Sequence, residues 1–155
     1  MLNVLWVDDE LDKVRWQLGI IKAQVKGVRF RLASTIAVAL RHLEKESFQI
    51  VITDGYLPVG KMSSKYSHTD FSVRMENTVP GFAFALMLAE RNESLRELTQ
   101  SLLCVVFSSA IAFGYRERVP NDLPIPLICL PLTLDTPDFV TEVLLRYQSK
   151  QTPVN

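Results

Sequence analysis

The stretch Phe48 to Pro58, FQIVITDGYLP, constrains this chain more than any other. Its run Ile50, Val51 and Ile52 leaves neither face for water, the pattern of a strand buried on both sides of a sheet. The run ends on an acid, Asp54. A carboxylate at the C-terminal end of a central parallel strand faces the crevice where open α/β sheets hold their ligands. The first strand, Asn3 to Val7, ends the same way, in Asp8, Asp9 and Glu10. If the two strands are neighbours, three or four carboxylates converge on one small volume. Such a cluster repels itself unless a hard divalent cation sits in it, and Mg2+ takes oxygen ligands of this kind.

The remainder of the chain alternates strand and helix. After Asn3 to Val7, the residues Val14, Leu18, Ile21 and Val25 recur at helical spacing and make one buried stripe. Val28, Phe30 and Leu32 alternate with Arg29 and Arg31, which reads as a strand with one wetter side, near a sheet edge. Ser34 or Thr35 can cap the next helix, which runs to about Glu46, and the strand Gln49 to Thr53 follows. This β, α, β, α, β order implies a parallel sheet with right-handed crossovers. Residues 59–79 break the rhythm, being polar, rich in Ser and Lys and free of either periodicity, so they are expected to form an inserted loop or lid. Pro80 and Gly81 then open a helix whose Phe82, Leu86 and Ala89 share a face. Leu102 to Phe107 is a buried strand ending in Ser108, Ser109 and Ala110, and a short helical span closes before Pro120. Leu127 to Leu130 is the fifth strand. Thr136 and Pro137 suit a cap and first turn, and Val140, Val143, Leu144 and Tyr147 form the stripe of the last helix, with a frayed tail at 151–155.

Composition sets the bounds on partners. A chain of 155 residues with 48% apolar content fits one domain, here 1–150, with a sizeable core. Seventeen basic residues balance seventeen acidic ones, so no global field draws the chain directly to nucleic acid or to a membrane. No apolar run reaches a membrane span, and the N-terminus carries acids where a signal peptide would keep its apolar region, which makes the cytoplasm the expected location. Cys104 and Cys129 fall inside strands without CxxC spacing, as buried reduced thiols do.

VLWVDDE at 4–10, VITDGYLP at 51–58, Pro80 with Gly81, and VVFSSA at 105–110 together resemble the receiver domain of two-component response regulators. The resemblance covers nearly the whole chain. It implies a flavodoxin-like, doubly wound α/β fold with five parallel strands in the order 2-1-3-4-5 and helices on both faces. It further implies that Asp54 accepts a phosphoryl group from a phosphohistidine on a sensor histidine kinase or histidine phosphotransfer protein. Asp8, Asp9, Asp54 and the backbone carbonyl of Tyr56 would hold Mg2+, and Ser109, rather than the adjacent Ser108, would donate its hydroxyl to a phosphoryl oxygen. The output would be binding to a downstream protein, not an enzymatic activity.

Two expected residues are missing. The family's lysine before a proline at the end of the fifth strand corresponds to Leu130 before Pro131, and its rotamer-switching aromatic corresponds to Leu127. Lys61 or Lys65 from the 59–79 segment could supply the lost cation. The bulk of Tyr56 and Ile111, at positions that govern water access, points to slow hydrolysis of an aspartyl phosphate. The departures leave room for an alternative, a pseudo-receiver that binds partners without phosphorylation. A third reading, a Mg2+-dependent phosphohydrolase resembling the haloacid dehalogenase group, wants a second acid two residues after its nucleophile, where this chain has Tyr56. KMSSK at 61–65 lacks the partner motif of an aminoacyl-tRNA synthetase, and His42 and His68 read as surface residues.

Overall fold

The computed structural model describes residues 1–67, 70–133 and 135–151. β1 (Leu2–Val7), β2 (Val28–Ala33), β3 (Ile50–Thr53), β4 (Cys104–Ser109) and β5 (Leu127–Pro131) form one parallel sheet in the order β2-β1-β3-β4-β5. β3, buried at every position, lies at its centre, as its uninterrupted apolar run requires. At the β2 edge Val28, Phe30 and Leu32 are half-buried while Arg29 and Arg31 turn outward and close on Glu46 at 2.7 and 3.1 Å.

Helices cover both faces. On one side α1 (Leu11–Gln24) and α7 (Thr136–Gln151) bring Val14, Leu18 and Ile21 together with Val140, Leu144 and Tyr147 over Trp6 and Ile52. On the other, α2 (Ile36–Lys45) packs with Phe48, Phe84 and Phe107 in a second core cluster. Burying one such aromatic stabilises the fold by about 1.5–3 kcal/mol. Thr35, not Ser34, caps α2, its hydroxyl accepting from the Val38 N–H at 3.1 Å. Thr136 begins α7 rather than capping it, and its hydroxyl donates to the Pro131 carbonyl at 3.1 Å, tying the helix to the end of β5. Among the described residues no helix is long and apolar enough to cross a membrane, and both cysteines are buried and free.

The expectation of an irregular loop at 59–79 is corrected. The segment contains α3 (Ser64–Ser67) and α4 (Asp70–Glu76), and it packs against the core. The carbonyls of Pro58 and Val59 accept the N–H groups of Ile36 and Ala37 at 3.1 and 2.9 Å, two of the donors that a helix start leaves without partners. Gly60 then turns the chain away at φ +78°, a conformation that favours glycine. Tyr66 is buried and donates its hydroxyl to Glu44 at 2.7 Å, while Met62, Met75 and Val79 pack on the same cluster. Arg74 pairs with Glu90 at 2.7 Å.

This cover explains the next helix, α5 (Pro80–Ala89), which carries the apolar sequence PGFAFALMLA and buries nearly every residue. The shared face expected of Phe82, Leu86 and Ala89 is therefore too narrow a description. A helix apolar all round must be enclosed on all sides, and the sheet and the 59–79 segment enclose it together. The span before Pro120 is α6 (Ala112–Tyr115) followed by one turn of 3-10 helix. His68 and the tail beyond Gln151 lie outside the described residues.

Candidate functional site

The register of the central strands builds the site. Val7 pairs with Thr53, and the Asp54 N–H donates to the Val7 carbonyl at 3.0 Å, so the residues that follow, Asp8 and Asp54, emerge side by side. Asp8 is 4% exposed, Asp9 is open to solvent and Asp54 is half-buried. One carboxylate oxygen from each of these three lies within 4.8 Å of the others. The convergence expected from the two acid-ended strands is present.

Burial raises the Asp8 carboxyl above its ordinary value, the Glu10 N–H offsets part of that by donating to Oδ1 at 2.9 Å, and the charge of Asp54 raises it further. Burial likewise raises Asp54, against the Gly55 N–H and the positive charge of Lys13, with Asp9 and Glu10 adding to the rise. Three hard oxygen donors that destabilise one another, with Asp9 on the open side, fit a small divalent cation such as Mg2+. Tyr56 follows Asp54 by two residues and holds its ring outward, 65% exposed. Ile111 is half-buried against the core.

The turn after Asp54 is held from two sides. The Gly81 N–H at the start of α5 donates to the Gly55 carbonyl at 2.9 Å, and Gly81 sits so close that a Cβ there would meet the Asp54 carbonyl oxygen. From β4, the Ser109 hydroxyl stands against Gly55, 2.7 Å from where a Cβ would be. Ser108 points to the opposite face of the strand and keeps a buried hydroxyl without a partner. Of the two serines, Ser109 is therefore the one placed beside the acid turn.

The sequence matches no family model and no curated protein. Solved structures match over nearly the whole chain. A CheY-like receiver domain protein from Methanospirillum hungatei superposes with a TM-score of 0.56 at 15% identity, covering 97% of this chain and 96% of that one. Chemotaxis protein CheY4 of Vibrio cholerae gives 0.58 at 17% identity, with 94% and 98% covered. The Salmonella typhimurium RcsB response regulator gives 0.64 at 16% identity, with 99% of this chain and 66% of that chain covered. The chain has the receiver-domain fold.

Within this receiver fold, Leu130 pairs with Ser108 across β4 and β5 and packs against the α1 and α7 cluster, so β5 offers no cation there. Lys61 and Lys65 stand over α2 in this structure. Lys65 lies 4.0 Å from Glu44, and Lys61 lines a hollow over α2 with Leu40, Glu44 and Tyr66. Lys13, in the first turn of α1 with Nζ 2.8 Å from Glu10 Oε2, is a cation whose charge reaches both Asp8 and Asp54. The sequence reading passed over it. In the sequence it stands three residues after Glu10, in the first turn of α1, with nothing to tie it to Asp54.

Proposed function

We propose that the chain is a response-regulator receiver that accepts a phosphoryl group on Asp54 and signals by binding another protein. The observation that carries this reading is the Asp54 carboxylate set beside Asp8 and Asp9 at the C-terminal edge of β3 and β1. The donor would be a phosphohistidine of a sensor kinase or phosphotransfer protein. An Asp54 carboxylate oxygen attacks the phosphorus, the P–N bond breaks with its electron pair passing to the imidazole, and an acyl phosphate forms. Asp8, Asp9, Asp54 and the Tyr56 carbonyl would hold Mg2+, which supplies charge neutralisation for the transferring group. Ser109 donates its hydroxyl to a phosphoryl oxygen, and the Gly81 and Gly55 contact keeps the acceptor turn from yielding. Positioning and charge are the protein's whole contribution, and no further catalytic activity is assigned to it.

Titration with Mg2+ and then beryllofluoride, followed by tryptophan fluorescence and NMR, tests the reading. Trp6 is buried in β1 two residues before Asp8 and is the reporter nearest the site. Wild type is expected to bind both, and Asp54→Asn to lose beryllofluoride. Equal behaviour of the two proteins removes Asp54 as acceptor. The second reading, the pseudo-receiver, expects metal binding without shifts spreading beyond the acids.

A further inference from the structure

The receiver fold as this chain builds it has three acids at the edge of β1 and β3 and an apolar side chain, Leu130, where the resemblance expects a lysine. A phosphoryl group on Asp54 adds further negative charge to the same place. Three other basic side chains have partners of their own. Arg15 pairs with Asp12 at 2.9 Å, Arg116 donates to the Cys129 carbonyl at 3.4 Å and lies over Phe113, and Lys65 turns to Glu44.

Lys13 is placed differently. Asp8 Oδ1 accepts the Glu10 N–H at 2.9 Å, and Glu10 Oε2 holds the Lys13 ammonium at 2.8 Å, so two short contacts lead from the buried acid to the cation. Glu10 precedes α1 without capping it, its carboxylate being engaged by Lys13 instead. Lys13 is about one-third exposed, and it lines an open concavity of about 460 Å3 together with Asp9 and Glu10. A cation in the first turn of a helix opposes the helix dipole, so its place there depends on the carboxylates around it.

We propose that Lys13 is the cation that balances the phosphoryl group on Asp54, in place of the fifth-strand lysine that this chain lacks. The inference rests on the reading of Asp54 as acceptor. In the free protein the ammonium rests on Glu10. When Asp54 carries a phosphoryl group, the ammonium turns from Glu10 to a phosphoryl oxygen, and no covalent bond to Lys13 is made or broken. The response to phosphorylation then starts at the N-terminus of α1 rather than at β5.

Beryllofluoride binding in saturating Mg2+, measured on wild type, Lys13→Gln and Lys13→Arg, tests this. Lys13→Gln is expected to weaken binding about tenfold or more, the size of a lost charge-assisted hydrogen bond, while Mg2+ binds as well as before or better. Lys13→Arg is expected to recover most of the affinity. In NMR spectra of wild type, the amides of Glu10 to Val14 are expected to move with beryllofluoride, and in Lys13→Gln they stay. Wild-type affinity in Lys13→Gln overturns the role of Lys13 and leaves Asp54 as acceptor. Failure of wild type to bind beryllofluoride at all overturns the acceptor reading itself, and this inference with it.

Discussion

Gly81→Ala is expected to cost the fold about 3 kcal/mol or more, among the largest losses that a single methyl group can cause. A Cβ at Gly81 would lie 1.6 Å from the Asp54 carbonyl oxygen, 2.6 Å from its carbon and 2.9 Å from the Gly55 Cα. All three neighbours are backbone, so no rotamer change relieves the clash. Either α5 backs away from β3, breaking the 2.9 Å bond from the Gly81 N–H to the Gly55 carbonyl, or the turn after Asp54 itself shifts. Both displace Asp54. Chemical denaturation of the two proteins gives the loss, and a loss below about 1 kcal/mol would mean that the helix yields without cost. Gly19 serves as the control, because a Cβ there meets nothing within 4 Å in mid-helix α1. Gly19→Ala is expected to gain about 0.5–1 kcal/mol.

Asp8→Asn is expected to stabilise the metal-free protein by about 1 kcal/mol and to abolish its response to Mg2+. The buried Asp8 carboxyl titrates above its ordinary value, so the folded state binds a proton more readily than the unfolded chain. Metal-free stability therefore gains from this group as pH falls through the raised value, and the gain is complete below the ordinary one. Asp54, raised chiefly by burial as well, contributes in the same direction. Asparagine keeps an oxygen for the Glu10 N–H while removing the charge that Asp54 and Asp9 oppose. In wild type, Mg2+ at about one hundred times its dissociation constant should add about 2.7 kcal/mol at neutral pH. Thermal unfolding with and without Mg2+, between pH 5 and 8, measures both effects. A variant that still gains from Mg2+ as wild type does would remove Asp8 from the ligand set.

The two predictions concern the same few residues from opposite sides. Gly81 sets how closely α5 approaches the turn after Asp54, and Asp8 sets the charge which that turn must face. The solved structures named above, at 15–17% identity, carry the fold and not these residues, so the variants decide the function.

Much was legible in the linear chain because the governing periods are local. An unbroken apolar run that stops at an acid marks a central strand and its crevice-facing end, and that brought Asp54, Asp8 and Asp9 to one place. Stripes at helical spacing marked the buried faces of α1 and α7 for the same reason. Three features came only with tertiary contacts. Residues 59–79 have too few apolar side chains to declare a helix, yet Tyr66, Met75 and Val79 gain a surface to bury against once α5 is in place. Ser109 and Ser108 are chemically identical, and although the resemblance pointed to Ser109, the physical reason, the pleat of β4 that sets it against the acid turn, came only with the structure. Lys13 looks like an ordinary surface cation until the β1 and β3 register brings Asp54 beside Asp8, because the field of a charge depends on distance in space and not along the chain.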